Sequence, residues 1–157
     1  MKYIKITYDD MLNGDGIRAV IWVSGCTHKC EGCHNPETWD FNEGLGFTDE
    51  EKLQIFNYLQ NDYVAGITFS GGDPLNKNNA PDVISLCKFF KTALPNKNIW
   101  IYTGYTYEDL KKDDLYNGLW DYIDVLVDGE FQKDKTEPNL EFRGSSNQKI
   151  IRFRERV

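Results

Sequence analysis

Apolar and polar positions alternate along this chain in blocks that repeatedly change period. Short apolar runs at 19–24 (AVIWVS), 66–69, 99–102 and 123–127 predict buried strands, with further strands near 3–7 and 149–153. Helical spacing intervenes. Thr48 and Glu51 form an S/T-x-x-E capping box, and Leu53, Phe56 and Leu59, with Ile55 at the margin, give the following helix one apolar face. A second helix is predicted from about Ala80, where Val83, Cys87, Phe90 and Leu94 fall on one side. A short third helix follows Thr106.

Strands alternating with helices predict an α/β fold with a mainly parallel sheet of five or six strands. A complete eight-unit barrel takes about 250 residues, and this chain has 157. The expectation is therefore a single-domain, partial (incomplete) β/α barrel spanning residues 1–157, with no internal repeat or dividing linker. Parallel sheets collect polar ligands beyond the carboxyl ends of their strands. Cys26, Gly71, Gly104 and Asp128 stand at those ends.

Composition narrows the partners. An apolar fraction of 40% supports ordinary folding, while a formal charge of −7 argues against duplex nucleic acid or an anionic membrane as the main partner. No apolar run is long enough to span a bilayer, and the opening MKYIKITYDD lacks the apolar core of a signal peptide. A cytoplasmic, reducing setting is expected. There, four cysteines do not build a disulfide framework.

Three of those cysteines are crowded together. Residues 26–33 read CTHKCEGC, a C-x3-C-x2-C arrangement on the loop after a core strand, while Cys87 stands far downstream on the apolar helix face. Thiolates are soft ligands suited to zinc, copper(I) or iron–sulfur clusters. A structural zinc would need a fourth ligand, for which His28 and His34 are the local candidates. A [4Fe–4S] cluster held by three cysteines would instead leave one iron without a protein ligand. Cys87 reads as a packed core thiol.

The cysteine pattern resembles that of the radical S-adenosylmethionine enzymes. Further segments resemble one subgroup, the anaerobic ribonucleoside-triphosphate reductase-activating proteins: ValSerGly before Cys26, GlyCysHisAsn at 32–35, SerGlyGlyAspProLeu at 70–75, TyrThrGlyTyr at 102–105, AspValLeuValAspGly at 124–129 and PheArgGlySerSerAsnGln at 142–148. The resemblance runs from Asn13 to near the end of the chain.

The resemblance implies a glycyl-radical-activating oxidoreductase with two cofactors. One is a [4Fe–4S] cluster on Cys26, Cys30 and Cys33. The other is S-adenosyl-L-methionine, whose amino and carboxylate groups chelate the open iron. One electron then splits the sulfonium–carbon bond, and the resulting 5′-deoxyadenosyl radical takes a hydrogen from a glycine of the large reductase subunit. Ser70, Gly71, Gly72 and Asp73 resemble the glycine-rich motif that receives the methionyl amine, although Glu is more usual than Asp at the acidic position. Gly32, Cys33 and His34 are implied to lie at the adenine. The resemblance also implies a flavodoxin or ferredoxin as electron donor, and the loops at 39–47 and 130–143 are candidate contacts for the reductase. His28, Asp128 and Arg143 carry no fixed side-chain role at this level. Three alternatives remain for the whole chain. One is an activating enzyme for a pyruvate formate-lyase type partner; the second is a radical enzyme acting on a small molecule such as a pterin or deazapurine precursor; the third is a metal-binding module without catalysis.

Overall fold

The structure is a computed structural model describing residues 1–28, 30–33 and 39–154. Its elements are β1 (Lys2–Asp10), β2 (Ile17–Val23), β3 (Leu45–Gly46), α1 (Asp49–Leu59), β4 (Val64–Gly71), α2 (Ala80–Ala93), β5 (Asn98–Tyr102), α3 (Tyr107–Lys111), β6 (Val125–Asp128) and β7 (Lys149–Arg152). Their sheet has the order β3-β1-β2-β4-β5-β6-β7. β2, β4, β5 and β6 run parallel, whereas β1 and β7 join this central block antiparallel.

The six strands expected from apolar runs are all present, with boundaries moved by a few residues. The seventh, β3, is held by pairing Lys2 with Gly46 and Tyr3 with Leu45. Two exposed residues carry no periodicity of their own, so nothing local announces them. The architecture is a mixed sheet of the partial β/α barrel type, with antiparallel strands at its edges.

α1 begins as the capping box dictates. The Thr48 hydroxyl accepts from the Glu50 N–H, while the Glu51 carboxylate accepts from the Thr48 N–H at 2.5 Å. Of the expected apolar face, Leu59 is buried, Phe56 packs against the core and marginal Ile55 is fully buried, whereas Leu53 is 58% exposed. Both windows fit helical spacing, and packing against β2 and β4 selects the one containing Ile55. On α2, Val83, Leu86, Cys87 and Phe90 are buried, and Cys87 has no exposed surface. Burial pushes the Cys87 thiol pKa up.

Alternation along the strands separates two packed faces. Ala19, Ile21, Val23, Ile67, Phe69, Ile99 and Ile101 join the helices in the main core. Trp100, Val125 and Val127 pack on the opposite face with Tyr102, Phe142 and Ile150. Arg18 is also fully buried, donating to Thr68 Oγ1 at 2.6 Å, the Ile67 carbonyl at 3.0 Å and Asn98 Oδ1 at 2.7 Å. Its guanidinium also donates to the Asp15 carbonyl at 2.6 Å, which fastens the glycine-bearing 11–16 loop to the sheet. Among the described residues, no helix is long and apolar enough to cross a membrane.

Candidate functional site

The parallel strands deliver four loops to one end of the sheet, and a cavity of about 340 Å³ lies among them. Cys26, Cys30 and Cys33 line it from the loop after β2, and Ser70, Gly71, Gly72 and Asp73 line it from the end of β4. Tyr102, Thr103 and Gly104 contribute from the end of β5. Gly129, Phe131, Phe142 and Arg143 close another side. Thus two motifs that are 37 residues or more apart in the chain meet at one opening, because β2 and β4 are adjacent parallel strands.

The cysteine loop and the glycine-rich segment touch backbone to backbone. Gly72 N–H donates to the Val23 carbonyl at 2.8 Å, and Asp73 N–H to the Gly25 carbonyl at 2.7 Å. A Cβ on Gly72 would lie 2.4 Å from the Gly25 oxygen, so the approach excludes any side chain there. Gly71 has φ +96°, a left-handed conformation suited to glycine, where a Cβ would also strike the Val23 backbone. Asn79 braces the same junction, donating to the Ser24 carbonyl at 2.9 Å and the Asp73 carbonyl at 3.0 Å.

Cys26 is buried, and Cys30 and Cys33 are partly buried. A turn joins the last two, with Cys33 N–H donating to the Cys30 carbonyl at 3.1 Å. Burial raises the Cys30 pKa, as does the negative charge of Glu130, while a hydrogen bond from the Phe131 backbone opposes that rise. Binding iron would deprotonate the thiol outright. The donor set is therefore chemically suited to an iron–sulfur cluster: soft thiolates, a walled cavity and a backbone N–H directed at sulfur. Among the described residues, no three His, Cys, Asp or Glu side chains form a group able to hold one metal ion.

Asp73 is 1% exposed and bound on all sides. It accepts from Thr103 Oγ1 at 2.8 Å, Leu75 N–H at 2.9 Å and Gly104 N–H at 3.0 Å, and lies 2.7 Å from His28 Nε2. The hydrogen bond to Asp73 raises the His28 pKa, outweighing the opposing effect of burial. Asp128 is equally engaged, accepting from Tyr107 N–H at 2.8 Å and Lys149 N–H at 3.3 Å. It fixes the start of α3 rather than lining the cavity. Arg143 lines the cavity and donates to the Gln148 carbonyl at 2.8 Å. Gly32 is exposed and is not among the residues that line the cavity, and His34 falls outside the described residues.

Several contributors had no sequence signal. Glu130 and Phe131 act on the cysteine loop from more than 95 residues away in the chain. Asn79 sits in the polar 76–79 stretch, whose composition announces a helix start and not a brace between two loops.

Comparison with known proteins identifies the family. A family model described as a 4Fe-4S single cluster domain matches residues 12–151. An anaerobic ribonucleoside-triphosphate reductase-activating protein of Pasteurella multocida is 43% identical over 155 residues, covering 98% of each chain. The protein of that name from Vibrio cholerae is 43% identical over 98% of this chain and 99% of its own. The one from Escherichia coli K12 is 41% identical over 98% of this chain and its entire length. With thiols, glycine-rich turn and strand ends gathered at one cavity, and relatives aligned nearly end to end, this chain belongs to the family of anaerobic ribonucleoside-triphosphate reductase-activating proteins.

Proposed function

We propose that this protein activates an anaerobic ribonucleoside-triphosphate reductase by cleaving S-adenosylmethionine reductively and leaving a glycyl radical on the large reductase subunit. The observation that carries this reading is the shared cavity, where Cys26, Cys30 and Cys33 face the Ser70–Asp73 segment. Cys26, Cys30 and Cys33 would hold one [4Fe–4S] cluster, and the Ser70–Asp73 segment across the cavity would hold the methionyl end of S-adenosylmethionine beside it. When bound, the cluster supplies the electron that splits the sulfonium–carbon bond.

The chain's own residues bind and orient. Backbone carbonyls of Ser70, Gly71 and Gly72 receive the methionyl amine, with Asp73 as the nearby negative charge. Backbone groups around Gly32, Cys33 and His34 meet the adenine edge. Phe131 and Phe142 supply apolar wall to the cavity from the side of the C-terminal loops. Residues 1–157 act as one domain in the cytoplasm, and a flavodoxin or ferredoxin delivers the electron. The reductase closes the open side of the barrel; that a reductase is the partner is supported by the relatives' names, each of which specifies one.

Anaerobic reconstitution tests the reading. The wild-type protein should carry one four-iron cluster per chain and convert S-adenosylmethionine to methionine and 5′-deoxyadenosine when reduced. Cys30→Ala should lose that cleavage. Stoichiometric zinc with no cleavage would establish a metal-binding module instead, and full cleavage by C30A would overturn the ligand assignment.

A further inference from the structure

One side chain joins the two motifs, although neither cluster ligation nor cofactor binding calls for it. His28 lies within the cysteine loop, and its two ring nitrogens reach different elements. Nε2 is 2.7 Å from Asp73 Oδ2, and Nδ1 is 3.0 Å from Glu130 Oε1. The Tyr105 ring packs edge-on at a centroid distance of 4.6 Å. Gly104 lies against the imidazole so closely that a Cβ there would come within 2.6 Å of it. The ring is thus held by loops following β4, β5 and β6 while belonging to the loop after β2.

Asp73 is fully committed to neighbouring groups. An ionised carboxylate offers about four lone-pair sites in its plane. Here Thr103, Leu75, Gly104 and His28 occupy them. A further donor could bind only by displacing one of these partners, and the side chain has almost no exposed surface. Such a group holds neighbours in place more readily than it grips a ligand.

We propose that His28 is a positioning residue whose imidazole clasps the cysteine loop to Asp73 and Glu130, so that Asp73 serves cofactor binding through this clasp and not by accepting a hydrogen bond from the methionyl amine. The inference deepens the radical-enzyme reading above and rests on it. It makes His28 and Asp73 a coupled pair: loss of either releases the same loop.

The test compares wild type, His28→Ala, His28→Gln, Asp73→Asn and the H28A/D73N double variant. In the metal-free protein, iodoacetamide alkylation of Cys26, Cys30 and Cys33 is followed by peptide mass spectrometry, with buried Cys87 as the internal control for folding. H28A and D73N should each accelerate alkylation about tenfold, and the double variant should go no further, as expected for a coupled pair. In the reconstituted protein, the same singles should raise KM for S-adenosylmethionine about tenfold with a smaller change in kcat, again without additivity. H28Q, which retains one amide donor, should recover part of both effects. Unchanged alkylation in H28A with Cys87 still protected would overturn the clasp. Additive KM effects would overturn the indirect role of Asp73. Failure of the wild-type protein to cleave S-adenosylmethionine would instead sink the radical-enzyme reading, while the alkylation arm would still report on the loop.

Discussion

Tyr58 and Asp9 exchange two hydrogen bonds: the phenol donates to Asp9 Oδ1 at 2.7 Å and accepts from the Asp9 N–H at 2.8 Å. Burial, followed by the bond to the carboxylate, raises the Tyr58 pKa to about 12. An unfolded tyrosine titrates near pH ~10, so the folded state holds this proton more tightly. The stability contributed is complete below pH ~10 and is lost as pH rises through the folded value. Urea midpoints measured from pH 8 upward should therefore fall more steeply in wild type than in Tyr58→Phe, with the difference confined to the alkaline range. At the same scale, some residues were legible in the sequence and others were not. Cys87 could be read as a core thiol because its helix neighbours shared its spacing, and it has no exposed surface. Nothing near His28 announced Asp73 as its partner, since 45 positions separate them and only the parallel pairing of β2 and β4 brings them together.

Among the elements, α1 shows which part of a helix is local information. The Thr48–Glu51 box was readable because donor and acceptor lie three residues apart and act before any tertiary packing. Thr48→Ala should cost about 1 kcal/mol in denaturant unfolding, and a loss below a few tenths would mean the cap contributes little. Which face of α1 turns inward was not readable from spacing alone. Exposed Leu53 and buried Ile55 are two positions apart, and the sheet beneath decides between them. β3 was invisible for a related reason: Leu45 and Gly46 are extended only because β1 lies alongside. The central strands were plain because burial on both faces demands unbroken apolar runs.

For the whole molecule, the parallel order of β2, β4, β5 and β6 is the decisive feature, because it points four loop-bearing strand ends at one cavity. That convergence could be anticipated from alternating strands and helices. The closing side could not, since Phe131, Phe142 and Arg143 arrive on an irregular connection between β6 and β7 that has no periodic pattern. In the proposed reaction, a radical formed among these loops takes a hydrogen atom from a glycine of the large reductase subunit. The direct measurement is electron paramagnetic resonance of an anaerobic mixture of the reduced, reconstituted protein, S-adenosylmethionine and the reductase. The proposed reaction predicts a glycine-centred doublet that requires all three components and disappears when the partner glycine is replaced by alanine. A mixture in which S-adenosylmethionine is consumed while the wild-type reductase acquires no such signal would contradict it.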